Sequence, residues 1–573
     1  MKARLSAVLL VPFFLLSSIS PSDASEGIVA IHLLGKTTDS LLVELGDNIP
    51  ALAEQGIDLI FLEVDYSFDF QSHPELRQGD RYITRAGAQR LAEICRTHDI
   101  RLIPEFQSLG HQSWAAQTFP LLTVYPELDL TPGAFPENEG IYCREWDPTN
   151  PRVNQIVFPL IDEIVEAFDA DGIHVGMDEI FLLDSEHAPN TKDKDPAELF
   201  AQVVNEFHDH FVKDGGLEMF LWGDRLIDGT LYPHGEYESS LNGTAAAVDM
   251  IPTDIVICDW HYEPLETYPS IPMFLDKGFR VLPSSWRKTD AVEALVKYSY
   301  SLEHPNMMGH LLTTWGNLDP ERMLEYPPLL SAVRTIEEGL FFDVSFHVQS
   351  VSADGRITIA MAARGQGLEI RFTDDGTLPD RRSTRYENPV AIDESTVLKA
   401  ISYRDGVPAS AVSERRLVVH KATGRAISLA TPASPQYPAE NGAAALVNGS
   451  TGSASYADGQ WVGAEGTDLE ALIDLGGETV VSRVAVTSMN NWPNWVHHSR
   501  RVEVSGSTDG DDFTRLGEIG DIESDEPSVS LAIIFDPVTT RYLRVVIYNQ
   551  LIPEGYSGAG EPAWLFVDEI VVE

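Results

Sequence analysis

Eight short apolar runs rich in β-branched residues, most of them followed by a longer amphipathic stretch, fill the first 340 residues. They fall at 28–34, 58–64, 101–106, 172–175, 217–221, 254–258, 279–284 and 308–314. Strand-length runs alternating with helical periodicity are the pattern of repeated βα units around a parallel sheet. Eight units in this length predict a closed (β/α)8 TIM barrel, with an open doubly wound sheet as the rival. Helix-start chemistry agrees with that reading. Asp195-Pro196-Ala197-Glu198 joins an N-cap, a proline at the first helical position and a capping-box glutamate; Asp290 with Glu293, and Asp319 before Pro320, repeat the signal. The Pro- and Gly-rich stretch 118–151 reads as a βα loop of the kind that shapes a site.

A chain of 573 residues exceeds what one hydrophobic core supports. After Phe342 the helical period does not return. Short alternating strands separated by turns such as Asp374-Asp375-Gly376 predict a small β-sandwich over 343–422 and a second one over 423–573, with 422–434 as linker or first strand. The fold class expected is therefore multidomain: a barrel over 25–342 followed by two all-β sandwich domains.

The first 24 residues read as a signal peptide. Lys2 and Arg4 precede an apolar run and then Ser22-Asp23-Ala24, so cleavage is expected after Ala24 and the mature chain is expected to be secreted or periplasmic. That run is short for a membrane span and no later stretch is long enough, so no transmembrane segment is expected. Cys95, Cys143 and Cys258 make no disulfide framework. A net charge of −48 repels phosphate backbones, which excludes nucleic acid as a natural partner.

In such a barrel, reactive groups gather where the C-terminal ends of the strands open into loops. The side chains following each run are Glu63 and Asp65, then Gln107 and His111, then His174, Asp178 and Glu179. Later runs give Trp222 and Asp224, then Asp259, Trp260, His261 and Tyr262, then Trp286, and last Trp315 and Asn317. Carboxylates among tryptophans suit a sugar, whose ring offers apolar C–H faces for stacking and hydroxyls for hydrogen bonds. Asp178 and Glu179 are the sharpest candidates. Behind a buried strand, desolvation and mutual repulsion favour keeping a proton on such a pair, the condition of a general acid. Among 88 acidic residues adjacent carboxylates also arise by chance, as a cap or ion pair, and residue types alone leave both readings open.

The spacing His174-x-Gly176-x-Asp178-Glu179 resembles the His-x-Gly-x-Asp-Glu signature of glycoside hydrolase family 20, the β-N-acetylhexosaminidases. Ile103-Pro104-Glu105 followed by Gly110-His111 resembles the family's third-strand motif, and Trp315 its closing tryptophan. Leu221-Trp222-Gly223-Asp224-Arg225 and Ile257-Cys258-Asp259-Trp260-His261-Tyr262 are similar to a compact bacterial branch, and the resemblance covers residues 27–340. It implies an exo-acting, retaining hydrolase of terminal N-acetylhexosamine without an enzyme nucleophile. Glu179 would serve as acid and then base, and Asp178 would hold the 2-acetamido group that attacks to form an oxazolinium intermediate. Asp65, His111, Trp222, Asp224, Trp260, Tyr262, Trp286 and Trp315 would contact the sugar, with His174 behind them. No cofactor for catalysis and no metal in the barrel are expected. The first strand lacks the family's arginine and offers His32 or Lys36; Asn317 stands where a glutamate often follows the closing tryptophan; and the small α/β domain usually placed before the barrel is not expected. A non-catalytic glycan-binding protein that retains the barrel, or a glycosidase acting on sugars without acetamide, are the competing readings.

His208-x-His210 is read as two surface histidines, because positions two apart on a helix face different ways. The segment around Ile370 to Gly376, with Pro379, Ser383, Tyr386 and Pro389, resembles the C-terminal sandwich of chitobiases and implies a spacer. Asn448-Gly449-Ser450, Trp461-Val462-Gly463, Ile473-Asp474-Leu475-Gly476 and the stretch from Trp564 resemble discoidin or factor 5/8 type C domains and family 32 carbohydrate-binding modules. That resemblance implies a structural calcium near Asn448 and Glu569. Asn490-Asn491-Trp492-Pro493-Asn494-Trp495 reads as a sugar platform, or equally as a cover for the barrel or a cap on the sandwich core. A glycan or glycoconjugate is the expected partner; the sequence does not specify an oligomeric state.

Overall fold

The computed structural model describes residues 27–573 other than 233–234, 317–319, 454–455, 457, 521, 523, 525 and 557. The expected signal peptide, Asn317 and Asp319 lie outside the described residues.

Eight parallel strands close on themselves: β1 (Ile28–Leu33), β2 (Leu59–Glu63), β3 (Arg101–Ser108), β4 (Gly172–Gly176), β5 (Glu218–Trp222), β6 (Val256–Trp260), β7 (Arg280–Ser285) and β8 (Gly309–Leu312). Closure is explicit in the register of β1, which pairs Ile28 with Gly309 on one side and Ala30 with Leu59 on the other. An open doubly wound sheet is thereby excluded. The runs are apolar because both sheet faces are covered. Alternate side chains divide the work: Ala30, Phe61, Ile103, Phe220 and Leu282 fill the barrel, while Ile31, Ile60, Leu62 and Leu221 meet the surrounding helices.

The helices include α1 (Asp39–Glu54), α2 (Arg85–Thr97), α3 (Arg152–Phe168), α4 (Pro196–Phe207), α5 (Ser270–Asp276), α6 (Thr289–Ser301) and α7 (Pro327–Glu338). Asp195 caps α4 as its sequence suggests, accepting from the Ala197 N–H at 2.9 Å with Pro196 opening the helix. For α6 the expected cap differs. Lys288 occupies that position without a side-chain cap, and Asp290 sits inside the first turn, its Oδ1 accepting from Ala291 N at 2.9 Å. The histidine pair also departs from expectation. Residues 208–214 form a π-helical turn; His208 is buried with Nε2 2.8 Å from Asp254, while His210 reaches Asp162 at 3.1 Å. Their divergence leaves them no shared ligand, but His208 belongs to the interior because the wider turn rotates it inward.

Beyond the barrel, a three-stranded sheet (Val344–Val351, Ile357–Ala363, Val390–Ile392) and a five-stranded one enclose Phe346, Ile359, Phe372 and Leu398. The last unit is a seven-stranded antiparallel sheet built on two long strands, Leu469–Met489 and Ser528–Tyr548. Ala426–Leu429 pairs with the first of them, so the connecting segment also supplies a strand. No helix among the described residues is long and apolar enough to cross a membrane.

Candidate active site

The C-terminal end of β4 turns sharply. Gly176, Met177 and Glu179 all take left-handed backbone conformations, with φ of 66°, 67° and 53°. Gly176 has no alternative, since a Cβ there would lie 2.1 Å from Gln107 Oε1 and 3.1 Å from the Gln107 Cα. Asp65, Leu109 and His111, on the neighbouring strand ends, are left-handed too. Non-glycine residues in this region each cost on the order of 1–3 kcal/mol, and such strain collects where geometry is imposed for function.

This turn brings Asp178 and Glu179 to one imidazole. His111 Nε2 lies 3.4 Å from Asp178 Oδ2 and 3.2 Å from Glu179 Oε2. Burial works against an imidazolium here, yet Asp178, then Glu179, push the His111 pKa well above the ordinary histidine value. The other oxygen of Asp178, Oδ1, is buried and has no hydrogen-bond partner among the described residues. On the far side, the Glu179 N–H donates to Asp224 Oδ2 at 2.9 Å, and the same carboxylate accepts from Arg225 Nε at 2.6 Å and Trp260 Nε1 at 3.2 Å. Burial pushes Asp224 up to about 6 while Arg225 pulls it down. Asp65 is raised to about 7 by burial, against the Gln107 N–H that donates to it at 2.7 Å.

An aromatic wall rises from the later strands. Trp260 stacks on Tyr262 at 4.9 Å, Trp286 meets Tyr262 edge-on at 5.4 Å, and the Trp315 indole donates to the Tyr262 hydroxyl. Trp222 is placed differently, fully buried and donating from Nε1 to Glu105 Oε1 at 3.0 Å. It supports the floor from within the barrel and presents no surface to a sugar; Asp224, 1% exposed with both oxygens engaged, is likewise a positioning residue.

Beneath the pair lies a charged cluster. Glu105 meets His32 Nε2 at 2.7 Å and His174 Nδ1 at 3.2 Å, all three fully buried. Burial opposes its charge, but the two rings hold the Glu105 carboxyl well below the usual carboxylate range. His174 thus stands behind the site, and His32, where the family's arginine is lacking, is spent on Glu105 and packs against Trp315 at 4.8 Å. Two groups are close enough in space to surround a cation, His32–Glu63–Glu105 and His111–Asp178–Glu179.

Two contributors escape sequence reasoning, both on the long loop after β3. Tyr142 hydrogen-bonds to Glu179 and lies 5.9 Å from the His111 ring. Glu145 accepts from the N–H groups of Phe181 and Leu182 at 2.6 and 2.7 Å, clamping the segment just past the catalytic candidates. An aromatic and a buried acid in a Pro- and Gly-rich loop were the available signals, but nothing local says that they fold back over β4.

The calcium expectation finds no fit. Asn448 Oδ1 accepts from Ser450 N at 2.7 Å, and Glu569 is occupied by Gly449 N at 3.0 Å and His420 Nε2 at 2.7 Å.

The closed barrel thus sets strained acidic strand ends beside a tryptophan and tyrosine wall and is followed by two β-sandwich units. Residues 41–287 match the family described as glycosyl hydrolase family 20, catalytic domain. Residues 349–414 match the chitobiase/beta-hexosaminidase C-terminal domain, and residues 430–559 the F5/8 type C domain. Among solved structures the chain is similar to a chitobiase of Flavobacterium johnsoniae, with 18% identity and a TM-score of 0.41 over 54% of this chain and 47% of that one. It is also similar to an exo β-N-acetylglucosaminidase of Vibrio harveyi, with 15% identity and a TM-score of 0.40 over 55% and 54% of the two chains. For dispersin B the values are 16% and 0.37, over 54% of this chain and 99% of the other. The match thus spans about half the length of the chitobiase. No curated protein matches the chain.

Proposed function

We propose that this protein is an exo-acting, retaining β-N-acetylhexosaminidase that uses the 2-acetamido group of its substrate as the nucleophile. Glu179 donates a proton to the glycosidic oxygen as the acetamido carbonyl oxygen attacks the anomeric carbon, and the aglycone leaves as an alcohol. Asp178 accepts from the acetamido N–H and stabilises the positive charge of the oxazolinium. Glu179 then removes a proton from the water that opens this ring, returning the acetamide and a hexosamine of unchanged anomeric configuration. His111, whose Nε2 lies 3.4 Å from Asp178 and 3.2 Å from Glu179, fixes their spacing, and the wall of Trp260, Tyr262, Trp286 and Trp315 excludes water so that electrostatic contacts at the site act at low dielectric.

The observation that carries the reading is the unclaimed Oδ1 of Asp178. A buried carboxylate oxygen without a donor beside a second carboxyl is suited to a substrate N–H. Asp224 is a poor enzyme nucleophile, since Arg225, Trp260 and the Glu179 N–H already engage it.

The test is hydrolysis of chromogenic N-acetylglucosaminides and N-acetylgalactosaminides beside plain glucosides and galactosides. Glu179→Gln and Asp178→Asn are expected to lose at least about 10²-fold in kcat with the melting temperature kept, and product NMR to show retention. Equal turnover of sugars lacking the acetamide would sink the mechanism. Parent-like turnover by both variants would point to a glycan-binding role. The proposed place of work is outside the cytoplasm; a mature N-terminus at Ser25 in the periplasm or medium is the expected result.

A further inference from the structure

We infer that the C-terminal domain completes the active-site cleft: its Asn490 to Trp495 loop is an aromatic platform for the sugar units on the leaving-group side of the scissile bond. The inference rests on the function proposed above and extends it from a pocket for one sugar to a cleft for a glycan chain.

Placement comes first. Lys288 Nζ donates to Glu263 Oε1 and to Asn494 Oδ1, each at 2.6 Å, and the Tyr456 hydroxyl donates to Glu263 Oε2 at 2.9 Å. Glu263 follows β6 and Lys288 follows β7, so both belong to the face of the barrel where Asp178 and Glu179 end β4. Only Arg287 separates Lys288 from Trp286, a member of the aromatic wall. The loop is therefore latched to the rim of the proposed catalytic pocket.

The loop's own construction comes second. Trp492 is 51% exposed and Trp495 40% exposed with the barrel and the C-terminal domain assembled, so neither ring is spent on covering the barrel. Both are nevertheless held from behind. Trp492 packs on Tyr556 at 5.7 Å, and Trp495 lies over the backbone of Gly558, where a Cβ would meet the indole at 2.8 Å. Asn491 and Val496 exchange backbone hydrogen bonds at 2.9 and 3.2 Å, and the Trp495 carbonyl accepts from Trp564 N at 2.9 Å. Indole rings left in water are unfavourable, and rings fixed in that state have already met the entropic cost of ordering that a ligand would otherwise impose.

The occupant follows from continuity. Indole faces suit the C–H faces of pyranose rings, and a rim one latch away from the pocket wall is reached by the chain that the pocket grips by its terminal sugar. An unrelated protein partner would need no such link to Lys288.

The experiment uses the full chain with Trp492→Ala and Trp495→Ala combined. A 4-nitrophenyl N-acetyl-β-glucosaminide and a β-linked N-acetylglucosamine tetrasaccharide are compared as substrates. The double variant is expected to keep kcat/KM for the aryl glycoside within about twofold and to lose about tenfold or more for the tetrasaccharide, the worth of one or two stacking contacts. Unchanged tetrasaccharide hydrolysis, or equal loss on both substrates, would overturn the inference. Calorimetric titration of the tetrasaccharide onto Glu179→Gln, with and without the tryptophan pair, reads the platform without turnover. A tetrasaccharide that binds no tighter than N-acetylglucosamine, or whose affinity ignores the tryptophans, overturns it even if hydrolysis succeeds. A parent that binds the chain through these rings but hydrolyses neither substrate refutes the proposed function and leaves the platform standing.

Discussion

The backbone N–H of Glu179 points at Asp224 Oδ2, 2.9 Å away, so the left-handed turn that presents the proposed acid is fixed by a carboxylate from the next strand. Asp224 in turn neutralises Arg225, which is fully buried and donates to the carbonyls of Glu236, Tyr237 and Ser239. Asp224→Ala removes the acceptor of Glu179 and leaves a buried guanidinium without its anion, a loss of roughly 3–5 kcal/mol for a broken buried pair. A sharply lower melting temperature with reduced kcat is expected, and Asp224→Asn is expected to cost less. Parent-like melting and turnover by the alanine variant would contradict the positioning role.

Gly176→Ala meets two obstacles at once. The backbone is left-handed, and the added methyl collides with Gln107. About 2 kcal/mol or more of destabilisation is expected. Displacement of the following pair should also lower kcat/KM more than it lowers substrate affinity. Urea unfolding together with steady-state kinetics reads both effects.

Stability should fall as pH rises from the ordinary carboxylate range to about 8, and Glu145 accounts for part of it. Burial raises its folded pKa to about 8, against the N–H groups of Leu182 and Phe181. Between the ordinary carboxylate value and about 8 the folded chain holds a proton that the unfolded chain has released, so stability declines with pH across that window. Glu145→Gln retains an acceptor for both N–H groups and should flatten the curve. A melting series from pH 5 to 9, identical for parent and variant, would refute the assignment.

Trp286 stands at the outer end of the wall, half-buried against Tyr262 with the Arg287 guanidinium 4.2 Å over its ring. Trp286→Ala should raise KM by about tenfold, close to 1.4 kcal/mol, with a smaller change in kcat. A kcat-only effect would mean that the ring supports the catalytic pair without touching the sugar.

Strand positions were legible because a strand buried on both faces must be apolar throughout; every expected run overlaps an observed strand, with ends shifted by a few residues. One such shift matters for the site. β5 ends at Trp222, one residue beyond the apolar run, which turns that ring into the barrel layer instead of the loop above it. Asp178 and Glu179 stood out by their place after a buried strand, and a catalytic reading of them came from the resemblance of His174-x-Gly176-x-Asp178-Glu179 to a family signature. Glu105 was read as part of a strand motif, and its pairing with His32 and His174 joins side chains from three strands that only the closed register brings together.

Apolar periodicity, capping residues and one acidic dipeptide after a buried strand are local properties, so the chain itself determined the barrel, the two β units and the pair Asp178–Glu179. The tertiary structure alone decided which groups surround that pair. His111, Tyr142, Glu145 and Asp224 reach it from three other segments, and Asn494 comes to the rim from more than two hundred residues beyond Lys288. Contacts of that range depend on strand order, closure and loop return, and no window of sequence encodes a distance between residues that far apart.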